Sequence, residues 1–293
     1  MITRLPHNNR AGQSDDKPLL TIHNLNFSYP PPRRIQALRN ISLTVQANEF
    51  VGIIGQNGSG KTTLTKCISG HLRPTNGHVL IREREVSRVP TRERPRIVGY
   101  TFQNPDEQLF KASVWDDIKF GLENLGYDRD TIEGAAEEML RDLELWAKRD
   151  LHPYRLSKGD RQRLSIAVIA VMQPAILIVD EPTTGQDPLR ARQIMDLLQH
   201  LQQDLDLTII VVTHAMELVA DYCHRVIAMY QGELLLDGVP GHVFAQVDVL
   251  AKTFVQPPPV VRLALRLGLD PIPVNVEQAA QMFYRLLSDP ARG

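Results

Sequence analysis

The sequence predicts an α/β fold: a mainly parallel sheet covered by helices, entered through an antiparallel β unit, interrupted by a helical insertion and followed by a small α-rich extension. Three observations predict it. From Lys158 onward apolar strands and amphipathic helices alternate, the pattern of crossover connections between parallel strands. Ahead of Phe50, apolar and polar residues alternate singly, as in half-buried antiparallel strands. Between these regions, residues 104 to 157 switch to a helical period.

Taken in order, residues 1–18 are polar, carry Gly12, Ser14, Asp15 and Asp16, and have no period, so they read as a mobile leader. Leu20 to Tyr29 gives the first strand, and Ile41, Leu43 and Val45 mark the second, with Pro30, Pro31 and Pro32 between them. Phe50 to Ile54 is almost wholly apolar, as a strand buried on both faces should be, and runs into Gly55. A helical stretch follows to Gly70, then the turn Pro74-Thr75-Asn76-Gly77 and a short strand from His78 to Ile81. Arg82 to Arg96 holds six Arg against three Glu and reads as a solvated loop rather than an anion-binding patch. The strand Ile97 to Phe102 ends at Gln103.

In the insertion, Ser113 with Asp116 resembles a capping box ahead of Val114, Ile118, Leu122 and Leu125, and Ile132, Ala136, Met139, Leu140 and Leu143 form a second apolar stripe. Helices are then expected over Lys158 to Met172, Pro188 to Gln203 and Ala215 to Tyr222, and strands over Ala175 to Val179, Thr208 to Val212 and Val226 to Met229. Beyond about residue 246 two more helices are expected. The second is capped by Asn275 and Gln278 and aligns Val276, Ala279, Ala280, Phe283 and Leu287 on one face. No internal repeat is visible, so one such unit is expected.

The 293 residues are 43% hydrophobic and carry a net charge of −1, which argues against a nucleic-acid binder acting by bulk electrostatics; no nucleic-acid partner is expected. Cys67 and Cys223 have neither zinc nor redox-pair spacing and read as buried, inert thiols in a reducing compartment. The longest apolar stretch, Ile166 to Met172, is broken by Gln173-Pro174 before Ala175 to Val179, far short of the roughly 18 residues of a spanning helix. Arg4, Pro6, His7, Asn8, Asn9 and Arg10 leave no apolar segment for a secretory signal, so a soluble intracellular chain is expected.

The chemistry concentrates in two places. Gly55-Gln56-Asn57-Gly58-Ser59-Gly60-Lys61-Thr62 matches the phosphate-loop pattern between a predicted strand and a predicted helix. Its glycines let backbone N–H groups face phosphate oxygens, Lys61 neutralises the β and γ phosphates, and Thr62 offers its hydroxyl to Mg²⁺. The strand ending in Asp180 and Glu181 places two carboxylates at the C-terminal edge of the sheet, where open α/β sheets bind ligands. Asp180 is then a Mg²⁺ holder and Glu181 a base for the attacking water, the arrangement of a nucleotide hydrolase.

Over about residues 19–245 the order of motifs resembles the ATP-binding cassette (ABC) ATPases. Tyr29, in Phe27-Ser28-Tyr29-Pro30, resembles the family's adenine-stacking aromatic, and Gln103 its glutamine sensing Mg²⁺ and the γ-phosphate. Leu156 to Arg163 resembles the signature loop, Gly185-Gln186-Asp187 the segment after the acidic pair, and His214 the switch histidine. The resemblance implies a RecA-like P-loop NTPase core with ATP and Mg²⁺ as cofactors. It implies catalysis by Glu181, His214 and Gln103, and metal contacts from Thr62, Gln103 and Asp180. Nucleotide contacts fall on Tyr29, Gly55, Asn57, Gly58, Ser59, Gly60, Lys61, Thr62, Thr63, Ser157, Gly159 and Asp187. The signature departs from the usual Leu-Ser-Gly-Gly-Gln at Lys158 and Asp160. Ser157 and the helix N-terminus still offer an anion site, while a carboxylate at 160 is expected to repel phosphate.

Gln103 to Phe110 resembles the segment after the glutamine loop in ATPases of energy-coupling-factor (ECF) transporters, and His214 to Ala220, Gly232 to Pro240 and Pro257 to Leu265 are similar to the same group. This implies a peripheral subunit on the cytoplasmic face of the cell membrane, powering import of a vitamin or transition-metal ion. Implied partners are a second ABC ATPase subunit, identical or homologous, a transmembrane subunit, and a substrate-binding membrane subunit. Residues 246–293 are then a dimerisation element, and Pro105, Asp106, Glu107 and Phe110 form the groove for the membrane partner. Alternatives are the ATPase of a conventional ABC importer, a soluble ABC ATPase of DNA repair, and a regulatory subunit with a weak catalytic site.

Overall fold

The computed structural model describes residues 4–5, 17–32 and 34–288. The chain begins with β1 (Leu20–Ser28), β2 (Gln36–Val45), β3 (Phe50–Ile54), α1 (Lys61–Ile68), β4 (Asn76–Ile81), β5 (Arg84–Glu85) and β6 (Val98–Thr101). The insertion supplies α2 (Val114–Asn124) and α3 (Arg129–Asp142), and the chain returns through α4 (Lys158–Ala170), β7 (Ile176–Asp180), α5 (Pro188–Leu205), β8 (Thr208–Val212), α6 (Met216–Tyr222) and β9 (Arg225–Tyr230). It continues through β10 (Glu233–Gly238), α7 (Pro240–Ala245), α8 (Val247–Ala251), α9 (Pro259–Arg266) and α10 (Val276–Ser288).

Two sheets result. The antiparallel sheet has the order β2-β1-β4-β5, with Leu20 opposite both Val45 and Ile81. The second has the order β10-β9-β3-β8-β7-β6, parallel throughout except for β10 at its edge. Alternation along its central strands divides the core. Phe50 and Ile54, Leu177 and Val179, and Ile209 and Val211 enter a cluster shared with the helical insertion. Val51 and Ile53, Ile176 and Ile178, and Ile210 and Val212 enter a second cluster shared with the antiparallel sheet. Both faces being covered, these strands read as unbroken apolar runs.

Ser113 Oγ accepts from the Asp116 N–H at 3.1 Å, as the expected cap requires, and α3 has a cap that was not expected, Asp128 Oδ1 accepting from the Thr131 N–H at 2.9 Å. In the arginine-rich stretch Arg82, Arg84, Arg88 and Arg92 are exposed, as in a solvated loop, whereas Arg94 donates to the Gly70 carbonyl at 2.9 Å and Arg96 to the Leu125 carbonyl at 2.6 Å, so these two cations serve internal contacts.

Four of these elements were not predicted: β5, β10, α7 and α8. In β10 the run Leu234-Leu235-Leu236 has no alternation, because a register shift between Leu234 and Leu236 breaks the period. Arg4 and Leu5, expected in a mobile leader, are anchored instead. Leu5 is 3% exposed, its N–H donates to Gln173 Oε1 at 2.8 Å, and Arg4 pairs with Asp206 at 2.6 Å. The remainder of residues 1–16 lies outside the described residues.

Leu250, Val255, Val261 and Val274 join the cluster that holds the insertion, so the C-terminal helices pack on the sheet's own core. Asn275 Oδ1 accepts from the Gln278 N–H at 2.9 Å, while the Gln278 side chain accepts from Val274 rather than from Asn275, closing the box one residue early. On the predicted stripe Ala279 is buried but Val276, Ala280 and Phe283 are exposed; the side chain of Leu287 lies outside those described. Cys67 and Cys223 are free and buried, and burial pushes the Cys67 thiol up to about 12. Among the described residues no helix is long and apolar enough to cross a membrane.

Candidate active site

The phosphate-loop segment joins β3 to α1. Gly55 has φ +143°, and a Cβ there would run into the Met229 carbonyl. Gly60, the residue capping α1, has φ +104°, and a Cβ would come 2.7 Å from the Ala37 carbonyl oxygen. Only glycine meets both demands without strain. Lys61, 6% exposed, folds back and donates to the carbonyls of Gly55 at 2.7 Å and Gln56 at 2.9 Å. Burial lowers its pKa from the ordinary lysine value, and the nearby Glu181 and Asp180 oppose that fall.

The parallel register carries β7 to the same edge, with Asp180 opposite Val212 and Val179 opposite Thr101. Asp180 is 5% exposed; its Oδ2 accepts from the Tyr100 hydroxyl at 2.7 Å, and its Oδ1 is buried with no hydrogen-bond partner among the described residues. An orphaned carboxylate oxygen is a hard-oxygen donor of the kind that suits Mg²⁺. Glu181 sits at φ +51°, which turns its carboxylate away from the strand line. Its Oε1 lies 3.0 Å from His214 Nε2, and its Oε2 accepts from the Thr184 hydroxyl at 3.1 Å. Burial raises the Glu181 pKa above the ordinary carboxylate value, with Asp180 adding to the rise and His214, Thr184 and Lys61 opposing it. His214 Nε2 also lies 3.1 Å from Asn57 Oδ1, so the imidazole bridges the acidic edge and the glycine loop.

Asn57, Lys61, Glu181 and His214 face one cleft of about 730 Å³. It is lined by Tyr29, Asn57, Gly58, Gly60, Lys61, Thr62, Thr63, Gln103, Glu181 and His214. The Tyr29 hydroxyl stands 3.1 Å from Thr63 Oγ1, and Gln103 is exposed at the rim. Gly55, Ser59 and Asp180 lie behind the lining.

The remaining predicted residues do not join this cleft. Ser157 caps α4, accepting from the Asp160 N–H at 3.1 Å, and with Gly159 lines a separate hollow of about 200 Å³ beside Arg163 and Arg190. Asp187 lines neither; it caps α5 by accepting from the Arg190 N–H at 3.1 Å. The expected repulsion by Asp160 needs correction. Its carboxylate is 8% exposed and accepts from Lys148 at 2.7 Å and Arg163 at 2.6 Å, so its charge is answered inside the chain. Burial alone would raise its pKa, but these two cations hold it below the ordinary value. Of the four residues of the expected groove, Asp106, Glu107 and Phe110 are exposed and Pro105 is buried, where it only shapes the turn.

Sequence reasoning missed Tyr100 and Thr184. The Tyr100–Asp180 bond depends on which strands are neighbours, which no local pattern reveals, whereas Thr184 lies three residues from Glu181 and could have been found by proximity. It also missed Ile35, Gln36, Ala37, Arg39, Gln231 and Gly232 on the wall beside Tyr29.

Comparison with known proteins places this geometry. The family model described as "ABC transporter" matches residues 38–184. A putative ABC transporter ATP-binding protein of Methanosarcina acetivorans is 42% identical over 238 residues, covering 80% of this chain but only 39% of that longer protein. The energy-coupling factor transporter ATP-binding protein EcfA1 of Caldanaerobacter subterraneus subsp. tengcongensis is 36% identical over 274 residues, covering 90% of this chain and 97% of the relative. The solved structure of cbiO1 from Clostridium perfringens, described as part of the ABC transporter complex cbiONQ, superposes with a TM-score of 0.73 at 34% identity over 87% of this chain and 100% of that one.

Proposed function

The chain belongs to the ABC transporter family, and from that premise we propose that it is the ATP-binding and ATP-hydrolysing subunit of an energy-coupling-factor importer. The observation that carries the reading is the meeting, in one cleft, of Lys61 from the glycine loop, Glu181 from the end of β7 and His214 from the end of β8. Similarity to EcfA1 over nearly the whole of both chains supports the ECF assignment.

In this reading adenine stacks on Tyr29 and the triphosphate lies along the loop, held by backbone N–H groups and Lys61, with Thr63 near its α end. Thr62, Gln103 and Asp180 would hold Mg²⁺, which when bound neutralises charge on the β and γ oxygens. Glu181 takes the proton of the attacking water, and its burial makes it a stronger base than a solvated carboxylate. His214 orients Glu181 and donates toward the γ-phosphate. Ser157, Gly159 and Asp187 serve the nucleotide of a second ATPase subunit across a head-to-tail dimer, which accounts for their place outside the cleft.

Residues 19–245 act as the cassette and 246–293 help pair it, through the exposed Val276 and Phe283. Exposed Phe110, stacked edge-on against Phe120 with centroids 5.0 Å apart, meets the transmembrane subunit on the cytoplasmic face. A substrate-binding membrane subunit then selects the cargo, a vitamin or transition-metal ion. Glu181→Gln tests the assignment: it should bind ATP and stall in the closed dimer, with turnover at least about 100-fold lower. Hydrolysis at the parent rate would refute Glu181 as the base.

A further inference from the structure

Lys158 stands where the family's signature carries glycine, and nothing in the proposed mechanism uses it. Its ammonium donates to the Gly185 carbonyl at 3.2 Å, linking the first turn of α4 to the loop that follows Glu181. That loop is internally braced: the Thr184 N–H donates to the Glu181 carbonyl at 3.3 Å, and the Gln186 N–H to the Thr183 carbonyl at 3.2 Å. One residue before Gly185, the Thr184 hydroxyl holds Glu181 Oε2 at 3.1 Å. A second contact lies alongside, where the Arg190 side chain reaches within 3.6 Å of the place a Cβ on Gly159 would take, while Arg190 pairs with Asp187 at 3.3 Å.

We propose that Lys158 is a positioning residue: by holding the Gly185 carbonyl it fixes Thr184, and through Thr184 the direction of the Glu181 carboxylate in the same chain. A glycine at 158 has no side chain to make this tie, so the chain links the start of its own signature helix to its own base in a way the usual signature does not. Lys158 lines neither the cleft nor the hollow that Ser157 and Gly159 share, so its effect should fall on turnover rather than on ATP capture.

The inference rests on the ATPase reading, and the experiment separates the two. Steady-state hydrolysis is measured on the full-length protein over a range of ATP concentrations for the parent, Lys158→Met and Lys158→Arg, with thermal melts confirming that each is folded. Loss of this one solvent-exposed tie corresponds to a fall in kcat of about fivefold for Lys158→Met, with KM unchanged within about twofold, and Lys158→Arg recovering most of the loss. The proposal is overturned if kcat is the same in parent and Lys158→Met, if the change appears in KM with kcat retained, or if Lys158→Arg is as slow as Lys158→Met. A parent that hydrolyses no ATP overturns the ATPase reading, and this inference with it; an active parent with an unaffected Lys158→Met overturns this inference alone.

Discussion

Asp160→Asn keeps the shape of the side chain and removes its charge, so it isolates what Lys148 and Arg163 contribute. The carboxylate is 8% exposed and lies 2.7 Å from the Lys148 ammonium and 2.6 Å from the Arg163 guanidinium. A hydrogen bond to a charged group contributes about 1.5–3 kcal/mol when sheltered. The Lys148 side chain is 44% exposed and can turn to water, which discounts its share to under about 1 kcal/mol. Arg163 is the more enclosed partner, at 27%. The expected loss is about 2 kcal/mol, a fall in Tm of roughly 4–8 °C for a domain of this size. The pH dependence fixes the sign. The Asp160 pKa is lowered in the folded chain, so its stabilisation is complete above the unfolded value near 3.9 and disappears as pH falls through the folded value. Urea titrations of parent and variant should therefore differ at pH 7, with the gap intact down to about pH 4 and narrowing as the pH falls further. Equal stability at pH 7, or a gap that does not narrow on acidification below about pH 4, would refute the ion-pair account.

Other expectations follow from single contacts. Gly60→Ala puts a Cβ 2.7 Å from the Ala37 carbonyl at φ +104°, strain of about 1–3 kcal/mol at the head of α1; titration with a fluorescent ATP analogue should show affinity at least about tenfold weaker, and parent-like binding would contradict it. Leu5→Ala should cost about 2–4 kcal/mol in urea unfolding if Leu5 is a true core residue, whereas a change under about 0.5 kcal/mol would mean its docking contributes little. Deleting residues 250–293 would strip buried Leu250 and Val261 from the core along with any pairing surface, so Val276→Asp with Phe283→Asp is the cleaner perturbation. Light scattering should show weaker nucleotide-independent pairing, and an unchanged mass would remove the tail from the dimer interface.

The central strands were legible because burial on two faces forces an uninterrupted apolar run, and β3 and β7 each end directly at chemistry, Gly55 and Asp180. The insertion helices were legible through the Ser113 cap of α2 and the apolar stripe of α3. β10 was not, because its register shift hides the alternation, and α7 and α8 are too short to show a period. Leu5 is one apolar residue in a polar segment, and its partner Gln173 is 168 residues away. The neutralisation of Asp160 escaped notice because Lys148 lies on a turn before α4 with no periodic relation to it. Within the cleft, the loop, Glu181 and His214 could be placed at the sheet edge from strand ends alone; the Tyr100 bond to Asp180 required the order of strands.

The central strands of the parallel sheet send alternate side chains into two cores, so the edge bearing Asp180 and Glu181 is gripped from above and below. The helical insertion, by contrast, shares only one of those cores. A shift of α2 and α3 disturbs one layer and leaves the opposite layer to hold the carboxylates in register. Support within the molecule is thus unevenly distributed: the carboxylates rest on a plate packed on both faces, while the segment that carries Phe110 is packed against one core alone.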